Sequence, residues 1–430
     1  MGDIGLSENQ SKVQPLPQGW GNHAVKNLAY LNKTNLNSQM NCPVIHYIDI
    51  DSVEEGVIKN IKDIDVRSAP SRAKRIVNDK DILISSVRPN LRHYCKIGSP
   101  KSCTVASTGF VVLTPKEINP DFLYYSITTK EFTNYLSAIA ETSTTAYPSI
   151  TADVIANYSI ACPRENEQKA IAKILSDLDA KIELDQKMNR TLESIAQAIF
   201  KHWFIDFEFP DENGNPYRSS GGEMVDSELG KIPKRWSVSK LGDIGTLKNG
   251  VNYIRGESGD KEFFIVNVRD ISKGKFLLKE SLDRIRLDSI KAKQYLLDND
   301  DIIIARSACP GETSVTVNSS NDVIYSGFSI RYRLDTPSNW LYIFLTLQNL
   351  KQRLSKFSVG TTLTSVNQES LKVLDFVSAS NQVMKNFNKI AEELIYRVFA
   401  NLNQSIVLSQ IRDSILPKLM SGKIRVPLEE

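Results

Sequence analysis

The feature that most restricts how this chain can fold is that it repeats itself. Trp20 closes the string LPQGW, and Trp236 closes KIPKRW 216 residues later. DKDILISSVRPN (Asp79–Asn90) is echoed by DNDDIIIARSACP (Asp298–Pro310), with Asp81 against Asp301 at an offset of 220. STGFVVL, from Ser107, is echoed by SGFSIRY, from Ser326, and setting Phe110 against Phe328 gives 218. TTAYPSI (Thr144–Ile150) matches GTTLTSV (Gly360–Val366), with Ser149 against Ser365 at 216. LESIAQAIFKHWF, from Leu192, matches LSQIRDSILPKLM, from Leu408, at 216 again. Ordered segments at a nearly constant offset mean two tandem copies of a unit of roughly 200 residues, since solenoid repeats run only about 20–50. At 430 residues the chain also exceeds what one core ordinarily serves, and two or three domains are expected.

Both copies have the same internal order. Short runs rich in Ile, Val, Phe and Tyr come first: VIHYIDI, ILIS and FVVLT, then FFIVNV, DIIIAR and VIYSGFSIRYRL. Bounded by Asp, Asn, Gly and Pro, these are strands. Shorter helical stretches intervene, NPDFLYYSITTKEFTNYLSAI and SNWLYIFLTLQNLKQRLS, with Asn119 and Ser338 near their N-caps. Each copy then closes with a long helix. From Glu167 to Phe204 there is neither Pro nor Gly, and apolar residues recur at Ile171, Ile174, Leu178, Ile182, Met188, Leu192, Ile195, Ile199 and Trp203. The second runs from Gln382 to Met420 through Phe387, Ile390, Leu394, Val398, Leu402, Ile411, Ile415 and Leu419, with Pro417 in its fraying end.

Steps of three and four give each helix a single apolar seam, interrupted in the first by Asp185. At 1.5 Å per residue each is about 55 Å long. A helix that long with one seam requires a partner along its length, and the other copy supplies it. Asp185 either sets the register of that pair or is a solvent-facing interruption. The segment Asp206–Pro233, rich in Gly, Pro, Ser and acid, reads as the linker that lets the chain return. The expected fold class is therefore α/β (α+β): two tandem globular domains with mixed β-sheet, separated by two long antiparallel coiled-coil helices. The expected boundaries are an N-terminal tail at 1–15, a first globular domain at 16–163, a long helix at 164–204, a linker at 205–232, a second globular domain at 233–379, a long helix at 380–423 and a C-terminal tail at 424–430.

Composition narrows the function. A hydrophobic share of 41% and a charged share of 24% are those of a soluble globular chain. No apolar run approaches the roughly 18 residues of a membrane span, and the polar N-terminus lacks the apolar core of a secretory leader. Cys42, Cys95, Cys103, Cys162 and Cys309 are odd in number and scattered. They suggest neither a disulfide framework nor a zinc site, and a reducing cytoplasm is the natural setting. No metal site is expected from four histidines at no ligand spacing. A phosphate-cradling GxxxxGK[ST] loop is absent from the sequence, and GNPYR and INPDF lack the second proline of a methyltransferase tetrapeptide. No catalytic residue is assigned. A net charge of +3 permits nucleic-acid binding without demanding it.

Three boundary segments carry a family resemblance: FKHWFIDFEFP (Phe200–Pro210), SELGKIPKRW (Ser227–Trp236) and LPKLMSGKIRV (Leu416–Val426). Together with the opening LPQGW (Leu16–Trp20) they resemble the specificity (S) subunits of Type I restriction-modification systems, over essentially the whole chain after the first dozen residues. The resemblance implies two target recognition domains, each reading one half of an asymmetric, bipartite double-stranded DNA sequence. It implies that the long helices set the unread spacer and dock two methyltransferase (M) subunits, which restriction (R) subunits join. It also implies that this chain binds no cofactor, while its partners use S-adenosylmethionine for adenine-N6 methylation, and ATP and Mg for cleavage. Struts of about 55 Å can span one 34 Å turn of DNA between half-site centres. The alternative is a coiled-coil scaffold that joins partners without reading DNA.

Direct readout requires donors and acceptors held against base edges. In the first copy the candidates are Arg72, Lys74 and Arg75, in a Ser/Pro/Ala loop, then Ser85, Ser86, Arg88, Asn90 and Arg92 after a buried-looking strand. In the second they are Tyr253, Arg255, Arg269, Lys273, Lys275, Arg306 and Ser307. For each of these the plain alternative is a solvated surface group. The hydroxyl-rich loops recur: Ser143, Thr144, Thr145, Tyr147 and Ser149 correspond to Gly360, Thr361, Thr362, Thr364, Ser365 and Asn367. In the family such a loop lies against DNA; the alternative is a helix N-cap ahead of SITADVI and SVNQESL. Trp20, Trp203 and Trp236 are expected to pack rather than stack on bases.

Overall fold

The computed structural model describes residues 16–37, 39–142, 148–254, 256, 258–316, 321–357 and 366–427. The chain forms two compact units, residues 1–186 with 402–430, and residues 187–401. Each unit therefore combines one globular part with one stretch of each long helix.

In the first unit, one sheet has the order Lys62–Asp65, Val44–Ile48, Thr104–Ser107, Ala73–Ile76. Its two central strands are parallel, with Thr104 opposite His46. A second, wholly antiparallel sheet has the order Ala29–Leu31, Phe110–Pro115, Ile82–Ser85, Tyr94–Lys96. Gly21–Ala24 pairs with Ser159–Cys162, which closes the globular part on itself. The second unit repeats most of this wiring, without a counterpart of Ala73–Ile76 and with Phe276–Leu277 added at the edge of its larger sheet. Lys261–Val266 lies between Asp283–Leu287 and a parallel Val323–Tyr325. Ser329–Leu334 lies between Gly245–Asn249 and Ile302–Ala305, and Ser237–Lys240 pairs with Asp375–Ser378. Ile82–Ser85 and Ile302–Ala305 are buried along their whole length, which is why each reads as an unbroken apolar run.

The duplication extends to backbone detail. Lys80 and Asp300 both adopt φ of 67°. The Asn78 amide N–H donates to Asp81 Oδ2 at 2.8 Å, and the Asp298 amide N–H to Asp301 Oδ2 at 2.7 Å. One sequence correspondence is corrected. Phe110 stands opposite Ser85, whereas Ser329 stands opposite Ala305. Ser86 donates to the Gly109 carbonyl as Arg306 donates to that of Phe328. Phe328 therefore occupies the position of Gly109, and Phe110 that of Ser329. In a strand a slip of one residue exchanges the faces, and accordingly Phe110 is 1% exposed while Phe328 is 66% exposed.

The short helices follow their caps. Asn119 accepts from the Phe122 amide and opens Pro120–Ser126; Thr129 caps Lys130–Glu141 in the same manner. Ser338 does not cap; it lies inside a 3-10 turn that runs straight into Trp340–Phe357.

The first long helix is Glu165–Phe200, continued by a π-helical turn at Lys201–Ile205. The second is Asn381–Met420, and it passes through Pro417 rather than fraying there. In the first unit Asp179 meets Arg412 and Glu167 meets Arg425. In the second, Asn189 meets Asn401, and the ring of Trp203 lies 6.1 Å from that of Phe387. Within each unit the partner's number rises as the first falls, so the pairing is antiparallel.

The seam differs in part from the sequence expectation. Ile171, Phe387 and Val398 are buried, and Leu178, Ile182, Leu192, Ile199, Leu394 and Ile415 half-buried, but Ile174, Ile195, Ile390 and Ile411 are exposed. Ala172, Leu175 and Ala196 on the first helix and Ala391 and Ile395 on the second take the inner positions instead. Apolar steps of three and four admit two neighbouring stripes, and close helix approach selects alanine where periodicity selects the larger side chain. Asp185 is wholly buried and bound to Lys181 one turn earlier, so it is not a solvent-facing interruption.

Two further expectations are corrected. The 205–232 segment is folded rather than a bare linker. Met224–Ser227 and Gly230–Pro233 form a hairpin, and Phe209 stacks on Tyr217 at 4.6 Å and on Trp236 at 4.9 Å. Its Gly- and Pro-rich composition conceals these aromatic anchors. Cys42 and Cys103 form a disulfide, with Cα atoms 5.8 Å apart. Each lies just before one of the two parallel strands Val44–Ile48 and Thr104–Ser107, so the topology, not the spacing, brings them together.

Candidate nucleic-acid interface

In both units the buried central strand emerges at a turn where several candidate residues converge. In the first, Ile150 donates to the Ser86 carbonyl at 2.9 Å; in the second, Val366 donates to the Arg306 carbonyl at 2.9 Å. The end of each hydroxyl-rich segment is thus fastened to the residue that follows the strand. Ser149 bridges to Val87, and Arg88 donates its amide to the Pro148 carbonyl at 2.8 Å. Arg88 and Ala308 both take left-handed backbone, φ 48° and 61°, so both turns bend in the same sense.

Around the first turn the structure gathers Arg72, Ser86, Arg88, Asn90 and Ser149. Ser86 Oγ donates to the Gly109 carbonyl at 2.9 Å, and Thr108 donates to the Arg72 carbonyl at 2.7 Å, joining the Arg72 loop to the Ser86 turn. Arg72, Lys74, Arg88 and Asn90 are exposed. Arg75 is directed to the Asn35 side chain at 2.8 Å. Arg92 is turned inward: its guanidinium donates to Tyr94 Oη at 2.8 Å and pairs with Glu55 at 3.4 Å. Ser85 is buried and donates to the Val87 carbonyl, which makes it part of the turn's frame.

In the second unit Arg306 Nη1 donates to the Gly327 carbonyl at 2.8 Å. Ser307 is half-buried, and its carbonyl accepts from Cys309. Tyr253 Oη donates to Asn267 Oδ1 at 3.2 Å. Arg269 pairs with Asp283, whose carboxylate raises the guanidinium pKa further, and with Asp270 at 3.4 Å. Lys273 is exposed, whereas Lys275 binds Glu193 on the first long helix at 2.5 Å. Asn367 serves as a helix cap, its Oδ1 accepting from the Ser370 amide at 2.8 Å. Ser143, Thr144, Thr145, Tyr147, Arg255, Gly360, Thr361, Thr362, Thr364 and Ser365 lie outside the described residues.

Sequence reading missed an open cleft of about 930 Å³ in the second unit, whose lining includes Tyr253, Ile254, Arg269, Arg284, Arg286 and Phe328. The period-two string DRIRL, which puts Arg284 and Arg286 on one face of a strand, was the signal available. Among the described residues no three His, Cys, Asp or Glu side chains are grouped to hold a metal ion. No described helix is long and apolar enough to cross a membrane.

A model of the family described as the Type I restriction modification DNA specificity domain matches twice, at residues 23–194 and 233–376. The chain belongs to that family. The two matches fall on the two copies of the β-wiring. The specificity subunit of the Type I restriction enzyme HindI of Haemophilus influenzae is 26% identical over 428 residues, covering 85% of this chain and 90% of its own. The MjaIX specificity subunit of Methanocaldococcus jannaschii is 29% identical over 334 residues, covering 76% and 74%. The crystal structure of a Type-I restriction-modification system S subunit from M. genitalium shares the fold, with a TM-score of 0.53 at 16% identity over 97% of this chain and 98% of that one.

The segments that carried the family resemblance have packing roles. Phe200, Trp203, Phe204 and Phe209 form one core cluster with Trp236, Tyr342 and Phe387. Leu419 and Val426 share another with Trp20, while Trp20 Nε1 donates to Glu167 Oε2 at 3.2 Å. Trp20, Trp203 and Trp236 are all buried, as expected of packing residues. In this specificity-family chain the boundary motifs therefore hold each globular part to its helix ends.

Proposed function

We propose that this protein is the DNA-sequence-reading subunit of a Type I restriction-modification complex. The observation that carries the reading is the duplication itself: the same central strand wiring occurs twice, each under its own family match, while the exposed turns differ. Where the first unit has Arg88 and Gly109, the second has Ala308 and Phe328. Two like frames with unlike turns suit two readers of unlike half-sites, since base contacts specify and backbone contacts position.

In this reading each unit reads one half of an asymmetric double-stranded target. The helix pair sets the spacer and docks two methyltransferase subunits, which restriction subunits join in the cytoplasm. The chain itself catalyses nothing. S-adenosylmethionine, ATP and Mg act in the partner subunits.

The test is methylome sequencing of a methylation-free host that expresses this chain with its cognate methyltransferase subunit. N6-methyladenine confined to one split, asymmetric motif with a fixed spacer is the expected result. No motif, although the two proteins co-purify, would replace this reading with that of a scaffold.

A further inference from the structure

Phe328 is a large ring that its own unit leaves in water, at 66% exposed. The turn presenting it is firmly held. Gly327 donates to the Val251 carbonyl at 2.8 Å, Ser329 to the Ser326 carbonyl at 2.9 Å, and Arg306 to the Phe328 carbonyl at 3.0 Å. Arg306 also clamps the Gly327 carbonyl with its guanidinium. Through the Val366 bond, this same residue anchors the end of the hydroxyl-rich segment. The fold does not require a ring here. The equivalent residue of the first unit is Gly109, where a Cβ would fall 2.4 Å from Ile50 Cδ1.

The ring borders the cleft that Ile254, itself 79% exposed, also lines. Three guanidinium groups, Arg269, Arg284 and Arg286, stand on that lining; Arg269 pairs with Asp283 and Asp270, and Arg284 with Glu262 at 3.3 Å. Arg286 donates to the Gly259 and Asp260 carbonyls at 3.1 Å each, and neither carbonyl carries charge. An apolar tip beside the Arg286 guanidinium, whose charge those bonds leave uncompensated, matches a polyanion with flat apolar faces. Cations contact phosphates while an aromatic or aliphatic side chain meets the bases.

We propose that Phe328 packs against bases of duplex DNA in the half-site read by the second unit, with Arg286 on a flanking phosphate. Arg306 is the positioning residue for the ring. The proposal rests on the sequence-reading function above. It adds an asymmetry: the first unit has only Gly109 at this position and makes no such contact.

The test uses the complex of the full chain with its methyltransferase subunit and a duplex carrying the motif that methylome sequencing defines. Phe328→Ala should co-purify normally yet bind that duplex roughly tenfold to a hundredfold more weakly, and Phe328→Tyr should restore most of the loss. Single abasic substitutions should reveal at least one position in one half-site where base removal weakens the wild-type complex but not F328A. Unchanged affinity of F328A for the motif overturns this proposal and leaves the sequence-reading function standing. Loss of the methyltransferase subunit from F328A overturns it in favour of a protein contact. A wild-type complex that methylates no motif overturns both.

Discussion

Asn401 Nδ2 donates to the side-chain Oδ1 of Asn189 at 2.8 Å, with both residues buried between the long helices. A polar pair in an apolar seam sets register, because any slip strands both groups without partners. Asn189→Ala should therefore destabilise the protein by about 1–3 kcal/mol, the cost of a buried amide left unpaired. The double change N189L/N401L should cost less than the two single changes together, since neither orphan remains. Urea unfolding of the four proteins measures both.

Asp179 joins three elements of the first unit. It accepts from Tyr125 Oη at 2.6 Å and from Arg412 Nη1 at 2.7 Å, linking Pro120–Ser126 to both long helices. Burial raises the Tyr125 pKa, and the Asp179 carboxylate beside it raises it further. Removing the carboxylate leaves the half-buried Arg412 guanidinium with only the more exposed Asp413 carboxylate, at 2.9 Å. Asp179→Ala should cost roughly 2 kcal/mol, below the figure for a fully buried pair because water reaches Arg412. A double-mutant cycle with Arg412→Ala should show positive coupling; strict additivity would contradict the link.

Asp81 gives a pH dependence whose sign is set by burial. Desolvation pushes its carboxyl above the ordinary value near 3.8, against the Asn78 donors. The folded state thus holds this proton more tightly than the unfolded state. Its contribution to stability is complete below about pH 3.8 and is lost as pH rises through the folded pKa. The stability of Asp81→Asn, relative to wild type, should therefore increase across that window. Chemical denaturation of both proteins from pH 3 upward checks the direction, and a flat difference would refute it.

Gly250 passes so close to the Ser326 turn that an added Cβ would lie 2.2 Å from the Ser326 carbonyl oxygen. Backbone cannot swing aside as a side-chain end can. Gly250→Ala should cost about 1–3 kcal/mol by overpacking and displace the turn that carries Phe328. Calorimetry reads the first effect. Weakened binding of the assembled complex to its cognate duplex reads the second.

Much of this was written in the primary structure. The five echoed segments state the duplication, and the unbroken runs ILIS and DIIIAR mark strands buried on both faces, because local pattern follows local burial. Trp20, Trp203 and Trp236 were legible as packing groups, since each closes or lies within a segment of mixed aromatic and turn residues. The candidate interface was legible only in part. Ser86, Arg88 and Ser149 meet at one turn, a convergence no local string announced, whereas Arg92 and Lys275 have the same side-chain chemistry as a reader and are drawn into ion pairs instead.

What the sequence by itself determined is the kind of molecule: two like units, two long helices and a family. Tertiary structure decided everything that depends on which residues meet across distance. It paired Cys42 with Cys103 through two parallel strands and turned Ile174 and Ile195 outward while Ala172 and Ala196 faced inward. It also placed Phe328 in water where the aligned strings had set it beside buried Phe110. The physical reason is common to all three. Periodicity reports that a face is buried, but the choice between adjacent faces is made by register and by how closely backbones approach, and both are properties of pairs of segments rather than of either one alone.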